Sequence, residues 1–408
     1  MTEQTNTPEL RFPEFKDEWK LQKLGNLAQF SKGKSLSKKD LNINGNPCIL
    51  YGELYTKYGA ILNKVYSKTS TQNDSLVFSK RNQILIPSSG ETDIDIATAT
   101  AIDTDVKIAI GGDLNIITPI NSDGRFISLY INGKGKYNLA KYAQGKSVVH
   151  LYNSDIKKLN FYLPTNMAEQ KKVGDFFSKL DCQIELEEKK LELLEQQKKG
   201  YIQKIFSQEL RFKDENGNNY PNWEMKKLGN IANIVGGGTP STKKSEYWDG
   251  DINWFSPVEI GDKEFVSTSQ RRITEKGLEK SSAKVLPIGT VLFTSRAGIG
   301  KTAILSKEAT TNQGFQSIVP KENDLDSYFL YSMTSILKRN AEKVGAGSTF
   351  SEVSRKQMEQ IKLLIPILKE QKQIGRLFQI INRKINKQIH KIELLKQRKK
   401  GLLQKMFV

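Results

Sequence analysis

The sequence is poor in the side chains that most often bind metals or act as nucleophiles. Its 408 residues include two cysteines, Cys48 and Cys182, and two histidines, His150 and His390. The cysteines lie far apart in sequence, so they offer no metal-ligand cluster and fit a reducing cytoplasm. No run of about 18 apolar residues occurs, and the first residues lack a basic segment followed by an apolar core. We therefore expect a cytoplasmic protein with no membrane span, no signal peptide, no metal site and no histidine catalysis.

Positive charge, in contrast, is in clear excess. The chain has 63 lysines and arginines against 45 aspartates and glutamates, a formal net charge of +18. Such a surplus favours an acidic polymer as partner, most often nucleic acid. A hydrophobic content of 37% is sufficient for packed cores, and the length suggests about two to four compact units.

The chain also contains one sequence pattern twice. The matched segments are residues 9–12 and 209–212, 19–28 and 223–232, and 196–206 and 397–407. Between these matched ends the two copies diverge. Such a protein is expected to read a target that consists of two different halves.

Short strand-like runs occupy corresponding places in the two divergent bodies, separated by Gly, Asn, Asp and Ser. They are residues 83–86, 107–110 and 115–117 in the first copy and 290–293, 302–305 and 316–319 in the second. Weak similarity persists here, since residues 114–119 align with 315–320. We expect the two bodies to share one fold with different surfaces.

Each copy ends in a segment with apolar residues at alternating steps of four and three. This spacing, sustained over ten positions in each copy, is typical of a coiled-coil seam. The polar breaks fall at equivalent places, Glu187 and Lys198 in the first copy and Gln388 and Lys399 in the second. The main apolar positions of the predicted seam are Val173, Phe177, Leu180, Ile184, Leu191, Leu194, Ile374, Phe378, Ile381, Ile385, Ile392 and Leu395.

Charge predicts that these two helices pair with each other. The first helix is rich in glutamate, whereas residues 366–408 contain twelve basic and two acidic residues. Opposite flanks favour the intramolecular pair over self-pairing. We expect an antiparallel coiled coil of two helices, each of roughly 35 residues and about 50 Å.

A glycine-rich segment near the middle of the second copy resembles a phosphate-binding loop but departs from it. It ends in Gly300, Lys301 and Thr302, yet the glycine required five positions before Gly300 is Ser295. The segment leads into a strand-like run, whereas a phosphate-binding loop opens a helix. We expect a turn between strands, with Arg296 and Lys301 able to approach DNA. Residues 236–240, which begin with three glycines, fit either a close backbone approach to a ligand or a plain turn.

Candidate nucleic-acid contacts are basic and aromatic side chains on loops, where they can follow phosphates or meet base edges. For any one cluster alone, a solvated surface loop is the commoner outcome. The candidates are Lys32, Lys34, Lys38, Lys39, Tyr51, Tyr55, Lys57, Lys134, Lys136 and Lys146 in the first copy, and Lys243, Lys244, Arg271, Arg272, Arg296 and Lys301 in the second.

The repeated segments together resemble the specificity subunits of type I restriction-modification enzymes. The resemblance covers essentially the whole chain. It rests on the helix starts at residues 169–174 and 370–375, the helix ends at 199–206 and 400–407, the segments 19–26 and 223–230, and residues 347–350. The first copy departs from the family at residues 145–149, which stand where the second copy has 347–350.

The resemblance implies an α+β protein with a pseudo-two-fold repeat. Two mixed α/β target recognition domains would span residues 1–164 and 209–365, and two conserved spacer helices would span residues 165–208 and 366–408. Each domain would read one half of a split, asymmetric site in duplex DNA. The paired helices would fix the gap between the half-sites and serve as the docking surface for partners.

The resemblance also implies partners that perform the chemistry. These are two modification subunits, which use S-adenosylmethionine to methylate adenine, and motor-nuclease subunits, which use ATP and Mg²⁺. The chain alone is then expected to be catalytically silent and to bind no cofactor. Two alternatives remain at this point: a coiled-coil scaffold whose basic domains bind RNA or an acidic protein, and an ATP-using enzyme based on the incomplete phosphate loop.

Overall fold

The computed structural model describes residues 6–34, 36–62, 64–72, 74–296, 298–345 and 352–408. The chain forms two compact units. Unit 1 comprises Met1–Lys189 and His390–Val408, and unit 2 comprises Lys190–Ile389. Each unit therefore contains part of both long helices. The sequence analysis instead divided the chain into four consecutive segments, 1–164, 165–208, 209–365 and 366–408. Those boundaries remain a prediction.

Unit 1 is a mixed α/β unit. Within the described residues its strands are β1 (Lys20–Lys23), β2 (Ala28–Lys32), β3 (Leu41–Asn42), β4 (Asn46–Ile49), β5 (Ile61–Leu62), β6 (Ser67–Thr69), β7 (Ile84–Pro87), β8 (Ser89–Gly90), β9 (Thr100–Ile102), β10 (Ala109–Ile110), β11 (Leu114–Pro119), β12 (Val149–His150) and β13 (Asn160–Leu163). Its helices are α1 (Leu24–Leu27), α2 (Tyr51–Thr56), α3 (Asp93–Ile96), α4 (Gly124–Asn132), α5 (Lys136–Ala140), α6 (Asn153–Ile156) and the first part of α7 (Met167–Phe206), with a 3-10 turn at Lys38–Asp40.

Unit 2 has the same kinds of element. Its described strands are β14 (Glu224–Lys227), β15 (Ala232–Gly236), β16 (Trp248–Phe255), β17 (Phe265–Val266), β18 (Arg271–Ile273), β19 (Val291–Phe293), β20 (Thr302–Leu305), β21 (Thr310–Thr311), β22 (Gln316–Pro320) and β23 (Lys362–Ile365). Its helices are α8 (Leu228–Ile231), α9 (Glu275–Glu279), α10 (Ser327–Ser332), α11 (Thr334–Gly345), α12 (Arg355–Gln360) and the first part of α13 (Leu368–Lys405), with 3-10 turns at Ser245–Tyr247 and Pro257–Glu259.

The central sheets of the two units have the same topology. Unit 1 has the five-stranded order β2-β11-β7-β9-β5, and unit 2 has the order β15-β22-β19-β20-β17. In both sheets the last pair is parallel and the other pairs are antiparallel. The strand-like runs predicted from sequence lie on β7, β10, β11, β19, β20 and β22. The expectation of one fold used twice is confirmed.

Alternation along these strands gives each sheet two apolar faces. In unit 1, Ile84 and Ile86 belong to a core with α4 and the long helices, whereas Leu85 faces a second core. In unit 2, Val291 and Phe293 face the helices, whereas Leu292 belongs to a second core. One face of each sheet is thus fixed to the helical frame, and the other is available for a different layer.

The two long helices are longer than expected from sequence. The helix α7 has 40 residues and α13 has 38, so each is about 60 Å long at 1.5 Å per residue. Of the predicted seam, Leu191, Leu194 and Leu395 are half-buried and the other positions are buried. None of the helices in the described residues is long and apolar enough to cross a membrane.

Segments of the two helices pair antiparallel inside each unit. In unit 1, Lys399 bonds to Asp181 and Lys391 to Glu187, so partner numbers fall as the α7 numbers rise. Lys396 adds an ion pair with Glu188 at 2.5 Å. The acidic flank of the first helix therefore meets the basic flank of the second, as the charge pattern predicts.

In unit 2 the contact is aromatic. The rings of Phe206, at the end of α7, and Phe378, near the start of α13, stack at 6.3 Å between centroids. Phe206 also packs 5.9 Å from Phe329. At the equivalent place in unit 1, Phe407 packs 5.0 Å from Phe126. A phenylalanine at or just past the end of a long helix thus packs into each body: Phe206, which ends α7, is half-buried, and Phe407, two residues past α13, is buried.

The start of each long helix is tied to the body by a buried carboxylate. Arg11 donates two hydrogen bonds to Glu169 at 2.6 and 2.8 Å. Arg211 donates two to Glu370 at 3.2 and 2.7 Å. Bidentate pairs of this kind fix orientation as well as distance, so the same geometry sets where each helix leaves its body.

Candidate nucleic-acid interface

A small sheet covers the face of the unit 1 central sheet that lies opposite the helices. We call it lobe 1; it consists of β10, β4, β6 and β3 in that order, together with α2. Its apolar residues Ile49, Leu54 and Ile110 pack on Leu85 and Ile116 of the central sheet. The lobe is thereby anchored on one side and exposed on the other.

Three of the predicted contacts lie between β2 and β3, on the approach to lobe 1. Lys34, Lys38 and Lys39 are exposed, and the last two lie on the 3-10 turn that leads into β3. Ser37 caps this turn by a hydrogen bond to Asp40, and that bond lowers the pKa of the Asp40 carboxyl. The turn therefore presents two lysines on a backbone of fixed conformation.

Sequence reasoning missed the neighbouring depression, which has a volume of about 660 Å³. Exposed Lys68 and Tyr66 line it, together with Ile43, which is 90% exposed. Lys64 lies 5.2 Å from the Tyr66 ring as a cation–π pair. A signal was present in the sequence, because Lys64, Tyr66 and Lys68 alternate lysine with tyrosine, as Tyr51, Tyr55 and Lys57 combine them on α2.

The helix α2 carries the aromatic candidates. Tyr51 is exposed, and Tyr55 is half-buried, with burial raising the pKa of its phenol. Lys57 is bound to Glu53 at 2.8 Å, and Glu53 also accepts a hydrogen bond from Ser67 of β6. Glu53 thus joins α2 to the small sheet through Ser67, and the exposed Lys57 is paired with this glutamate.

The corresponding lobe of unit 2 has a different construction. Lobe 2 is the three-stranded sheet β18-β16-β21. Phe255 and Ala309 pack on Leu292 and Ala303 of the central sheet. A second small core under the lobe contains Trp248 and Trp254. The two lobes therefore occupy equivalent faces but differ in strand number and in side chains.

Packing inside unit 2 explains two of the three glycines that end and follow β15. A Cβ atom at Gly237 would lie 2.0 Å from the Asn312 carbonyl oxygen, and one at Gly238 would lie 2.3 Å from Ser282 Oγ. Trp254 donates from Nε1 to the Gly238 carbonyl at 2.8 Å. Gly237 and Gly238 thus allow close packing inside the unit, which accounts for these two glycines without a ligand.

Arg271 is the most precisely positioned cation of lobe 2. Its guanidinium carbon lies 3.6 Å from the ring centre of Trp248 and 5.9 Å from that of Trp254. A guanidinium stacked on an aromatic face keeps its donors at the edge of the stack. Adjacent strand residues face opposite sides, so Arg272 points away from this stack. The exposed Arg271 is therefore preoriented for an acceptor that can take two hydrogen bonds, such as a base edge or a phosphate.

The two tryptophans under Arg271 were missed by sequence reasoning. The chain has four tryptophans, of which Trp19 and Trp223 belong to the repeat. Trp248 and Trp254 occur in the second copy alone, six positions apart. Unrepeated aromatic residues in a repeated chain are the signal that could have identified them.

Lys243 and Lys244 are exposed on the segment before β16. Lys244 lies 5.3 Å from the ring of Tyr247, which belongs to the same small core as Trp248. These lysines and Arg271 thus belong to one lobe.

Four candidates of the first copy lie outside lobe 1. Lys32 ends β2 and lies 5.7 Å over the ring of Tyr152. Lys134 and Lys136 flank the turn between α4 and α5; burial lowers the pKa of Lys136, which contacts Thr98. Lys146 is exposed beside Gly145, whose φ of 118° forms a tight turn before β12. The corresponding motif of the second copy, residues 347–350, lies outside the described residues.

The glycine-rich segment of the second copy connects the antiparallel strands β19 and β20, as expected. Gly298 and Gly300 have φ values of 100° and 93°, a region that favours glycine. Arg296 is paired with Glu352 at 2.7 Å, so it is held toward the protein. Lys301 is exposed and lines a cavity of about 490 Å³ with Lys198 and Lys338. A strand, not a helix, follows this turn.

Known proteins share this architecture. The family model of the type I restriction modification DNA specificity domain matches residues 16–196 and 220–396. The MjaIX specificity subunit of Methanocaldococcus jannaschii is 37% identical over 174 residues, which cover 42% of this chain and 40% of that protein. The EcoR124I/EcoR124II specificity subunit of Escherichia coli is 35% identical over 159 residues, which cover 37% of this chain and 39% of that protein. These matches span about two fifths of the length of each relative.

Solved structures with the same fold cover nearly the whole chain. The S subunit of a type I restriction-modification system from M. genitalium aligns with a TM-score of 0.64 at 17% identity, over 98% of this chain and 99% of that one. A structure described for complex assembly and conformational transition of the type I R-M system aligns with a TM-score of 0.54 at 15% identity, over 94% and 96%. At these identities the likeness concerns the fold.

Proposed function

Since this chain belongs to the type I restriction-modification DNA specificity family, we propose that it selects the DNA sequence on which a type I restriction-modification complex acts. The observation that carries this proposal is that one scaffold is used twice with two different lobes. Equivalent central sheets place lobe 1 and lobe 2 opposite the helical frame, yet lobe 1 has four strands and lobe 2 has three.

We propose that each unit reads one half of an asymmetric, split site in duplex DNA. Different base pairs present different donor and acceptor patterns in the major groove, so different half-sites require different readers. Lobe 1 offers lysines and tyrosines, whereas lobe 2 offers an arginine stacked on tryptophan. This difference in chemistry supports the assignment of the lobes as the two readers.

The paired long helices are proposed to set the gap between the half-sites. Both α7 and α13 are unbroken, and each contributes residues to both units. A continuous helix resists changes in its length, because each residue adds a fixed 1.5 Å. The number of helical residues would therefore determine the spacing of the readers.

The chemistry is assigned to partners. We expect two modification subunits, which bind S-adenosylmethionine and methylate adenine, and restriction-motor subunits, which use ATP and Mg²⁺. This chain would contribute recognition and docking, without a catalytic group or a cofactor of its own, in the cytoplasm. The comparisons do not favour the alternative of a scaffold for RNA or an acidic protein.

A genome-wide map of methylated adenines tests the function. Cells that contain the chain and its modification subunit should methylate one bipartite sequence, and deletion of the chain should remove that methylation. Equal binding to unrelated duplexes and to RNA, without target-dependent methylation, would contradict the proposal. ATP turnover that disappears on Lys301→Ala would instead revive the enzyme alternative.

Exchange of one body tests the assignment of the readers. Replacement of residues 223–350 by those of a relative should change one half of the methylated sequence and leave the other half unchanged. A matched exchange in the first copy should change the opposite half. If both halves change in either chimera, the units do not read independently.

Insertion of helical residues tests the role of the frame. One heptad after Leu191 and another after Ile392 would lengthen both helices while keeping the seam in register. The mapped methylation sites should then have a longer gap between unchanged half-sites. An unchanged gap would rule out the helices as the determinant of spacing.

A further inference from the structure

Each unit has a lysine at the same repeat position of the helical frame, but the two lysines differ in their partners. Lys399 of α13 and Lys198 of α7 are equivalent positions at which a polar residue interrupts the seam. In unit 1, Lys399 forms an ion pair with Asp181 of the facing helix. In unit 2, the residue equivalent to Asp181 is Asn382, whose amide donates to the hydroxyl of Tyr328 at 3.0 Å. The second copy thus keeps the cation and lacks its counter-charge.

Lys198 is a half-buried cation without a direct partner. Within the described part of the chain, its ammonium group forms no ion pair and no hydrogen bond. Burial lowers its pKa, and the carboxylates of Glu264 and Glu195 offset this effect only in part. Glu264 itself accepts a hydrogen bond from Tyr328 at 2.7 Å. A partly desolvated cation of this kind is stabilised when an anion reaches it.

The cavity beside Lys198 has space for such an anion. It has a volume of about 490 Å³ and lies wholly within unit 2. Lys301 and Lys338 also line it, both exposed, and Asp262 is the one carboxylate-bearing residue among its described lining residues. A Cβ atom at Gly300 would lie 2.5 Å from the Lys338 side chain, so this glycine lets Lys338 pack closely on the turn that leads to Lys301. Three lysines therefore converge on one cavity with a clear excess of positive charge.

The rest of the lining fits a phosphate-bearing molecule. The hydroxyls of Thr302 and Thr334 lie 2.9 Å apart at its wall, and Ser335 is exposed there. Tyr331 and the buried Phe378 add an aromatic wall. Lysine binds phosphate as a point charge, and a cavity of this volume falls in the range of small-molecule sites.

The place of the cavity in the fold favours a free small molecule over the DNA backbone. Its lining includes residues of α7, α11 and α13, which pack on the helical side of the central sheet. Lobe 2 covers the opposite face. A duplex read by lobe 2 would lie on that other side.

We propose that this cavity binds a small molecule with two or more phosphate groups, such as inorganic pyrophosphate or a nucleoside diphosphate, through Lys198, Lys301 and Lys338. The bound anion would supply the negative charge that Asp181 supplies in unit 1. It would also join α7 to α11 and to the turn before β20. Binding should therefore raise the thermal transition of unit 2.

Isothermal titration calorimetry on the full chain, without DNA or divalent cations, tests the proposal with pyrophosphate and, separately, with ADP. Each should bind saturably at one site per chain. Lys198→Met removes the charge but keeps a long side chain that favours helix. It should weaken binding by about tenfold or more, as should Lys301→Met. Tighter binding of ADP would identify a nucleotide and equal binding an inorganic polyphosphate; both results support the site.

Two further variants use the repeat as an internal control. Lys399→Met removes the equivalent lysine of unit 1 and should leave the affinity for pyrophosphate unchanged. Asn382→Asp gives unit 2 the carboxylate of unit 1 and should weaken pyrophosphate binding as strongly as Lys198→Met does. Circular dichroism and thermal unfolding without ligand should show that each variant folds.

Four results would overturn the inference. They are no binding of pyrophosphate or ADP to the unaltered chain, unchanged affinity in folded Lys198→Met, an equal loss in Lys399→Met, which would indicate a general effect of charge, and weaker binding of a DNA duplex by Lys198→Met with unchanged binding of pyrophosphate. The last result would assign Lys198 to the DNA backbone. None of these measurements depends on the proposed function, which the methylation map tests separately.

Discussion

The indole Nε1 of Trp19 donates a hydrogen bond to the carboxylate of Glu169 at 3.2 Å, although 150 positions separate the two residues. Trp223 donates to Glu370 in the same way at 3.2 Å, across 147 positions. Each glutamate also binds an arginine. One buried carboxylate near the start of a long helix therefore binds both the arginine and the tryptophan that precede the first strand of the same unit. The hydrogen bond to Glu169 raises the pKa of Arg11.

Removal of this carboxylate should destabilise one unit. Glu370 is fully buried, so Glu370→Ala leaves Arg211 and the Trp223 N–H without their acceptor. Breaking a buried pair in this way costs about 3–5 kcal/mol. Urea unfolding followed by far-UV circular dichroism measures the free energy of unfolding. Lys276→Ala, which breaks the exposed pair with Glu246, is the control and should leave the transition unchanged; an equally small effect of Glu370→Ala would contradict the structural role.

Phe407, two residues past the end of α13, should be as important to the stability of unit 1. Phe407 is 1% exposed and packs among Trp19, Phe126 and Phe177. Phe407→Ala should lower the free energy of unfolding by about 3–5 kcal/mol, because it leaves a cavity in an aromatic core. Tyr137→Ala removes a ring that is 70% exposed and should have little effect. Amide hydrogen exchange should show that Phe407→Ala lowers protection mainly in the residues around Trp19. Protection in the variant that matches the unaltered chain at these residues would refute the prediction.

The repeat also predicts a working circular permutant. Leu10 N donates to Lys405 O at 2.9 Å, just as Leu210 N donates to Lys204 O at 3.0 Å. In the natural connection Gln208 has a φ of 65°, which glycine adopts readily. A chain that begins at Gln208, runs to Val408, and continues through one added glycine into Glu9 and on to Ser207 should therefore fold.

The thermal transition of this permutant should lie within a few degrees of that of the natural order. A matched permutant opened inside β11, between Ile116 and Ile117, cuts a central strand and should fail to fold. If both permutants fold, or if both fail to fold, the equivalence of the two connections does not explain whether a permuted chain folds.

Arg271 should contribute to DNA recognition through its position as well as its charge. Arg271→Ala should weaken binding of the cognate duplex by about 1–3 kcal/mol, which corresponds to roughly 5- to 150-fold. Trp248→Leu keeps the charge but removes the stacking surface at 3.6 Å, so it should reduce sequence discrimination more than non-specific binding. Arg355→Ala, at an arginine paired with Glu359 in the same unit, is the control. Fluorescence anisotropy with cognate and scrambled duplexes measures both quantities, and equal losses for Arg271 and Arg355 would exclude a special role.

The two cysteines should differ sharply in reactivity. Burial, with a smaller contribution from Glu53, raises the pKa of the Cys48 thiol to about 11, whereas Cys182 is exposed. In the native chain at neutral pH, one thiol should therefore react rapidly with a thiol reagent. Cys182→Ala should abolish this fast reaction. Rapid labelling of that variant would show that Cys48 is accessible.

The same shift predicts a pH dependence with a definite sign. The neutral thiol of Cys48 is favoured in the folded state, so its contribution is complete below the ordinary pKa of 9.0 and is lost as pH rises toward about 11. Cys48→Ala should therefore flatten the decline of the unfolding free energy between these two pH values. An unaltered slope in this range would contradict the assignment.

The sequence by itself determined the architecture of this protein to a large extent. Periodic apolar residues such as Val173 and Ile374 identified both long helices, because a seam is a local property of the chain. The 201-position offset between Glu169 and Glu370 likewise identified the repeat. The central strands β19, β20 and β22 were recognisable from short apolar runs between turn residues.

The tertiary structure alone decided which polar residues belong together. The pairing of Arg296 with Glu352, the stacking of Arg271 on Trp248, and the packing of Lys136 beside Thr98 join residues from different elements. Sequence spacing cannot reveal such contacts, because they depend on how strands and turns pack. For the same reason, the sequence could not show that Leu21 and Met225 are both exposed, at equivalent positions of the sheets β1-β13 and β14-β23.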